Sequence, residues 1–268
     1  CSGQKCISIC YYEEENNWWV SKLVEDFDST VNCVCWHKSN TYLAAGSMDG
    51  TVRLFTAAVK GVDDKPTQLF GADVSFKKPG QIICKIEINS WVHDICFSPT
   101  FDSIAFVTHD SCIGFLPIEE GIVPQQEQVQ RVRCSGLPHL RMVFLSANRL
   151  LAAGHDCNPT VYSKEGKGWV EKKKLDEATE SSSEPTSSAR GAAFKKFESS
   201  STMGIEAGGG SKGATISTAH HTCITDMATC ASWYKGNTCT KVVTVGMDGK
   251  LKFWDLANLE DSFSKMSL

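Results

Sequence analysis

The chain has 268 residues, of which 41% are hydrophobic and 22% are charged, and its formal net charge is -4. This is the composition of a globular protein that is large enough to bury a substantial core. The small negative charge gives no electrostatic reason to expect nucleic-acid binding. The sequence contains neither an apolar run of membrane-spanning length nor a secretory signal.

Residues 1–30 are predicted to be the remnant of a preceding unit. The chain starts with Cys1 and not with methionine, which predicts that it is a fragment. Residues 2–12 have the pattern of the end of a hairpin whose earlier strands are missing. Residues 18–24, WWVSKLV, are predicted to be an outer strand that leads into the next unit.

Residues 31–55 contain the first complete copy of a small β pattern. An apolar run, VNCVCW, is typical of a strand that is buried on both faces. A polar turn and a second strand follow, and the second strand ends at Asp49-Gly50, a strong hairpin signal because both residues tolerate positive φ. Alternating residues then predict a third strand.

Three further copies of this pattern follow downstream. Each copy has an aspartate, an aliphatic residue six positions before it, and apolar or aromatic residues five and six positions after it; the aspartates are Asp49, Asp110, Asp156 and Asp248. All-β units of about 40 residues that repeat in this way are typical of propeller blades. The last copy ends in Trp254-Asp255, the dipeptide that names WD repeats.

The predicted fold is therefore an all-β WD40 propeller, with blades in residues 31–171 and a last blade in residues 214–268. One blade cannot bury its own faces, so blades stack radially and cover one another. A closed WD ring usually has seven blades, and about four complete units are present. The sequence thus predicts that two or three blades are absent before residue 1.

The four aspartates are predicted to be structural. Each would sit in the tight turn between the second and third strands, where its carboxylate accepts hydrogen bonds. His109-Asp110 and His155-Asp156 look like acid-base or metal pairs, but methionine fills the same position before Asp49 and Asp248. We therefore predict no metal site here, and a zinc site that begins at His220 lacks a second ligand pair.

The cysteines are predicted to be reduced thiols. There are thirteen, an odd number, and none forms a Cys-x-x-Cys pair. Many fall on predicted strands, where cysteine packs as a small hydrophobic residue in an intracellular protein.

Residues 172–213 form an insertion rich in serine, glycine and charge, which predicts a mobile arm. Within it lies SSARGAAFKKFESS, which predicts a short amphipathic helix with Phe194 and Phe197 on its apolar stripe. Arg190, Lys195 and Lys196 accompany these phenylalanines. The phenylalanines either dock back on the propeller or insert into the groove of a partner.

Several segments together resemble a known family. They are CISICYYEEENNWWVSKL, STVNCVCWH with LAAGSMDG, WVHDICFSP with VTHDS, LLAAGHDCNP, and GMDGKLKFWDL. The whole chain from residue 2 to about residue 256 is similar to the WD-repeat subunit of the actin-related protein 2/3 complex. The position of the insertion and its ARG...F..F centre also match, although GAAFKKFE is less charged than is typical of the family.

The resemblance implies a seven-bladed, non-catalytic structural subunit of the assembly that nucleates branched actin filaments. Expected partners are the other subunits, including the actin-related proteins, together with WASP-type nucleation-promoting factors and the actin filament. The insertion helix is expected to bind through Arg190, Phe194, Lys195, Lys196 and Phe197. The implied location is the cytoplasm, at the actin cytoskeleton, with no nucleic acid and no membrane insertion.

Two other classes of protein can be weighed against this resemblance. An enzyme is not predicted, because the sequence lacks a Gly-x-Ser-x-Gly elbow, and GGGSKGAT does not have the order of a phosphate-binding loop. No cofactor is predicted either. A different WD40 scaffold, such as a ubiquitin-ligase substrate receptor or a coat component, is the stronger alternative because propellers bind many unrelated partners.

Overall fold

The computed structural model describes residues 4–63, 66, 68–71, 74–166, 168–176 and 218–257. The first two strands, β1 (Ile7–Glu13) and β2 (Trp18–Val24), form a separate antiparallel hairpin. Alternate residues of β1 are more buried and face the rest of the chain. No helix in the described ranges is long and apolar enough to cross a membrane.

Three antiparallel sheets of four strands follow the first hairpin. Blade 1 contains β3 (Val31–Trp36), β4 (Tyr42–Ser47), β5 (Thr51–Thr56) and β6 (Ile82–Glu87). Blade 2 contains β7 (Val92–Phe97), β8 (Ser103–Thr108), β9 (Cys112–Pro117) and β10 (Gln130–Arg133). Blade 3 contains β11 (His139–Ser146), β12 (Arg149–Gly154), β13 (Thr160–Glu165) and β14 (Gly168–Lys174). In each blade, neighbouring strands in the sheet are consecutive in the chain.

The last sheet, blade 4, has three strands among the described residues. They are β15 (Ile224–Ala228), β18 (Lys241–Gly246) and β19 (Leu251–Asp255), while β16 (Tyr234–Lys235) and β17 (Thr238–Cys239) form a small hairpin between them. The described part of the chain also contains two 3₁₀ turns, at Gln126–Gln128 and Ala231–Trp233.

The sheets stack in chain order around their first strands. Strand β3 contacts β7, β7 contacts β11, and β11 contacts β15. Each first strand also has a register shift near its start, for example between Val31 and Cys33 and between Val92 and Asp94, which increases its local twist. This radial stack of antiparallel sheets confirms the predicted all-β propeller class.

The apolar core lies between the sheets. One cluster joins the first hairpin to blade 1 and includes Ile9, Phe27 and Phe55. A second cluster runs through blades 1 to 3, and a third joins blade 3 to blade 4. Each blade thus buries the face of its neighbour, which is how a propeller obtains its hydrophobic stabilisation.

The long connection between β5 and β6 contributes to this core. Residues 60–80 contain two prolines and several charges, which predicts an extended loop. Phe70 within it is nevertheless fully buried and packs edge-on against Tyr42, with 5.0 Å between the ring centroids. The backbone N–H of Leu69 donates to the Tyr42 hydroxyl over 2.9 Å. Part of this loop is therefore anchored beside blade 1.

The predicted start of the insertion at residue 172 is wrong by several residues. Strand β14 continues to Lys174 and pairs with β13 along its length. The backbone N–H of Leu175 still donates to Pro159, and Asp176 bonds with Asn158. The lysines there belong to the outer strand of blade 3, since charged residues are tolerated at the solvent-exposed edge of a sheet.

Candidate functional site

The four repeat aspartates all lie in turns between the second and third strands of their sheets. Asp49 lies between β4 and β5, Asp110 between β8 and β9, Asp156 between β12 and β13, and Asp248 between β18 and β19. The residue after each aspartate has a positive φ: Gly50 has 78°, Ser111 has 57°, Cys157 has 59° and Gly249 has 70°. These values lie in the left-handed region, which glycine adopts without strain.

Asp49 connects its turn to two other parts of the chain. One carboxylate oxygen accepts from the backbone N–H of Thr51 over 3.1 Å and from its hydroxyl, while the other accepts from Arg53 Nη1 over 3.0 Å and from the backbone N–H of Asp28 over 3.2 Å. Burial raises the pKa of Asp49, but these hydrogen bonds and the Arg53 charge outweigh it and leave the pKa below its ordinary value.

Arg53 is itself buried, at 2% exposure, which is rare for an arginine. Its guanidinium also packs over the ring of Phe27, with 4.4 Å between the guanidinium carbon and the ring centroid. The ion pair therefore holds the turn, the third strand and the segment that leads into blade 1 together. A buried pair of this kind destabilises the fold strongly when one partner is removed.

The carboxylates of Asp110 and Asp156 each form an ion pair with a basic side chain on the outer strand of their blade. Arg131 on β10 pairs with Asp110 over 2.5 Å, and Lys174 on β14 pairs with Asp156 over 3.1 Å. Asp156 also accepts from the backbone N–H of Leu137 over 3.0 Å. These contacts connect the turn to the fourth strand and, at Asp156, to the segment that leads into blade 3.

Asp248 begins a chain of hydrogen bonds through blade 4. Its carboxylate bonds His220 Nδ1 over 3.2 Å, His220 Nε2 bonds the Thr244 hydroxyl over 2.8 Å, and Trp254 Nε1 donates to that hydroxyl over 2.8 Å. Because an ionised carboxylate only accepts, Nδ1 of His220 carries the proton. The Thr244 hydroxyl accepts from Trp254 Nε1 and bonds His220 Nε2.

The same carboxylate accepts two backbone N–H groups, those of His221 and Lys250. Burial raises the pKa of Asp248, but these bonds and His220 lower it to about 2. Asp255, which follows Trp254, accepts from the backbone N–H of Ala257 over 3.0 Å and so closes the end of β19. All these groups are engaged in bonds within blade 4.

Three histidines gather where blades 2 and 3 meet. His93 Nε2 lies 2.9 Å from His109 Nδ1, the ring centroids of His109 and His155 are 6.5 Å apart, and Trp91 packs on His109 at 5.1 Å. Burial lowers the pKa of His93 to about 4, and the neighbouring histidines and Arg141 add to this effect. His93 is therefore neutral near pH 7.

Side chains from the first strands connect neighbouring blades. Asn32 Nδ2 donates to the carbonyl of Val92 over 2.9 Å, and the Asp94 carboxylate accepts from the backbone N–H of Met142 over 3.0 Å. Burial raises the pKa of Asp94 to about 6. These contacts stabilise the packing between blades.

No group of three or more histidine, cysteine, aspartate or glutamate residues in the described ranges could hold a metal ion. His220, where the sequence analysis considered a zinc site and did not predict one, bonds Asp248 and Thr244. The twelve cysteines between Cys6 and Cys239 are free thiols. The residues of the predicted insertion helix, Arg190, Phe194, Lys195, Lys196 and Phe197, lie outside the described residues.

Comparison with known proteins assigns the chain to a family. The family described as WD domain, G-beta repeat matches residues 21–56 and 213–255. The chain is 34% identical over 267 residues to actin-related protein 2/3 complex subunit 1A-B of Xenopus laevis, which covers 97% of this chain and 67% of that protein. It is 34% identical over 263 residues to subunit 1A of Arabidopsis thaliana, with the same coverage, and 31% identical over 269 residues to subunit 1 of Saccharomyces cerevisiae, with 95% and 67% coverage.

The chain belongs to the actin-related protein 2/3 complex subunit 1 family. The WD matches coincide with the geometry described above. The first starts in β2 and ends at the last residue of β5, so that one sequence repeat combines an outer strand with three strands of the next blade. The second includes His220, Thr244, Asp248 and Trp254, the four residues of the hydrogen-bonded chain.

Some of the residues that organise this family member are not apparent from its sequence pattern. The partners of the aspartates lie on other strands or on segments that precede the blade, as Asp28 does for Asp49. One signal could have identified His220: it lies in the segment that precedes the first strand of its blade. Asp28 and Leu137, which also bond the turn aspartate of their blade, occupy the corresponding segments before blades 1 and 3. The sequence gave no indication that Arg53 is buried, because an arginine on an alternating strand is usually exposed.

Proposed function

We propose that this member of the subunit 1 family is a non-catalytic structural subunit of an actin-related protein 2/3 complex. The observation that carries the proposal is the similarity to subunit 1 proteins of an animal, a plant and a yeast along at least 95% of the chain. In this role the protein supports actin nucleation and branched filament assembly in the cytoplasm, at the actin cytoskeleton.

The chemistry of the described residues supports a role in binding. Buried ionisable groups among the described residues form pairs that hold turns and strands together, as the Asp49–Arg53 and Asp248–His220 pairs illustrate. Such pairs hold a rigid scaffold, and propellers typically present partners with loops and edges on such a scaffold.

The proposed partners are the other subunits of the complex, including the actin-related proteins, together with WASP-type factors and the actin filament. We assign the filament contact to the insertion, with Phe194 and Phe197 as apolar anchors and Arg190, Lys195 and Lys196 beside them. A basic, aromatic segment is complementary to an acidic partner surface. An amphipathic helix of this length would gain its stability from the groove it enters.

Complex membership is tested by purification of the tagged full-length protein from its native lysate. The expected result is recovery of two actin-related proteins and their small companion subunits in near-equal amounts. Recovery of cullin-type or coat components, or of no stoichiometric partner, would contradict the proposal and favour a different WD40 scaffold.

The role of the insertion is tested in the reconstituted complex with the double variant Phe194→Ala and Phe197→Ala. We expect fewer branches per length of filament, with the complex still intact by size-exclusion chromatography. The matched control is Ser199→Ala with Ser200→Ala, which alters the same arm without removing an aromatic anchor. Equal branch density in both variants would refute this assignment.

A further inference from the structure

A cleft lies between blades 3 and 4, at the end of β12 that is farther from Asp156. Its volume is 240 Å³. The lining residues include Leu145 and Arg149 of blade 3 and Lys235, Cys239, Leu256 and Ala257 of blade 4. Both walls belong to described strands and turns, so the cleft is formed by the packing of two neighbouring blades.

The floor of the cleft is part of the apolar core. Leu145 and Cys239 are each 2% exposed and Leu256 is 5% exposed, and all three belong to the cluster that joins blade 3 to blade 4. The charged side chains that line the cleft, Arg149 and Lys235, are both basic. Apolar side chains flanked by acidic ones are therefore complementary to this cleft.

Strand β19 leads the chain to this cleft. The backbone N–H of Leu256 donates to the carbonyl of Thr240, which also lines the cleft, over 2.8 Å. The Asp255 carboxylate accepts from the backbone N–H of Ala257 over 3.0 Å and ends the strand. Residues 258–268 follow directly and lie outside the described residues. Because Ala257 lines the cleft, this segment starts at the cleft wall.

The sequence of this segment, NLEDSFSKMSL, has the period of an amphipathic helix. Apolar residues recur at spacings of three, four and three residues and so share one stripe: Leu256, Leu259, Phe263 and Met266. At about 100° per residue, Glu260 falls beside this stripe and Asp261 falls on the opposite side. An isolated helix of this length is marginal in water, so its stability would come from the surface on which it packs.

We propose that residues 258–268 dock in the cleft and clasp blade 4 to blade 3. Leu259 and Phe263 would cover the apolar floor and extend the core cluster between the two blades. Glu260 would lie near Lys235 and pair with the basic lining of the cleft. The inference does not depend on the contacts of the insertion or on membership in the complex.

The clasp has a structural purpose in this fold. Residues 88–91 connect blade 1 to blade 2 and residues 134–138 connect blade 2 to blade 3, whereas residues 175–223 connect blade 3 to blade 4. A long connection restrains two blades less than a short one, because the entropic cost of bringing its ends together grows with its length. Docking of residues 258–268 would hold blades 3 and 4 together where the connecting chain does so least.

The test is amide hydrogen exchange of the full-length protein, measured by mass spectrometry. In the double variant Leu259→Ser with Phe263→Ser, we expect the amides of residues 145–149 and 235–240 to exchange at least tenfold faster. The matched control is Asn258→Ser with Lys265→Ser, which alters the opposite side of the stripe and should leave this exchange unchanged. Residues 102–111 of blade 2 should exchange equally in all three proteins, because they lie away from the cleft.

A charge-reversal cycle tests the position of Glu260. Glu260→Lys is expected to accelerate the exchange of residues 235–240 at least threefold, and addition of Lys235→Glu is expected to restore it. The control is Asp261→Lys, which makes the same change of charge on the opposite side of the stripe and should have little effect. This cycle removes no apolar side chain, so it remains informative if the serine variant fails to fold, which circular dichroism would reveal.

Four results would overturn the proposal. They are equal exchange in the serine variant and its control, failure of Lys235→Glu to restore the exchange, equal effects of Glu260→Lys and Asp261→Lys, and protection of the cleft that is lost when the protein is diluted. The last result would assign the cleft to residues 258–268 of a second copy of the chain.

Discussion

The hydrogen-bonded chain in blade 4 allows one substitution to be compared at two buried sites. Thr244 is 0% exposed, and its hydroxyl bonds both Trp254 Nε1 and His220 Nε2. Thr160 is 1% exposed, and its hydroxyl has no hydrogen-bond partner. Threonine and valine have nearly the same shape, so replacement by valine changes the hydroxyl and little else.

We expect Thr244→Val to lower the free energy of unfolding by about 2–4 kcal/mol. The substitution leaves His220 Nε2 and Trp254 Nε1 without a hydrogen-bond partner, and each loss costs about 1–3 kcal/mol. The total is smaller than the full sum because Trp254 is only half-buried and its Nε1 can bond water instead. Thr160→Val leaves no group without a partner, so its expected change is within about 0.5 kcal/mol or slightly stabilising.

The assay is urea unfolding followed by circular dichroism, with linear extrapolation to water. Thr244→Ser is a further control, because it keeps the hydroxyl and should cost less than Thr244→Val. The interaction with Trp254 is measured by a double-mutant cycle with Trp254→Phe, in which we expect the two substitutions to be non-additive. If the two valine variants lose equal stability, the hydrogen-bonded chain does not stabilise blade 4 and the reasoning fails.

Three further predictions concern the blades. Burial lowers the pKa of His139 to about 4, from about 6.5 in an unfolded chain, so its contribution to stability should be full above pH 6.5 and fall by up to about 3 kcal/mol towards pH 4. Because the pKa of His93 is lowered to the same value, His139→Gln should reduce this pH dependence in urea unfolding without abolishing it. A Cβ at Gly154 would lie 2.5 Å from the backbone nitrogen of Leu140, so Gly154→Ala should cost about 1–3 kcal/mol, and an unchanged thermal midpoint would contradict this packing. Asp49→Ala should cost about 3–5 kcal/mol because it leaves Arg53 buried without its partner, and addition of Arg53→Met should recover much of the loss in the same unfolding assay.

The predictions from sequence succeed where a local pattern determines the structure. Strands β3 and β4 match the predicted runs closely because alternation, β-branched residues and the Asp-Gly turn are local signals. The positions of the four aspartates in their turns follow from the same repeat. The resemblance to the subunit 1 family is also determined by sequence, and the comparisons confirm it.

The predictions are less complete where residues distant in sequence come together. The insertion was predicted to begin at residue 172, yet pairing with β13 extends β14 to Lys174, and composition alone does not report such pairing. The connection between β5 and β6 looked like a polar loop, but a single aromatic residue, Phe70, finds a site beside Tyr42. The insertion residues Phe194 and Phe197 stay predictions.

The sequence by itself therefore determined the class of fold, the repeat unit and the family, because a propeller repeats one short unit whose turns and strands are encoded locally. Only the tertiary structure decided the partners of each charged or polar group. Asp49 meets Arg53 and the N–H of Asp28, and His220 meets Asp248 and Thr244, because the blades bring separate segments to one turn.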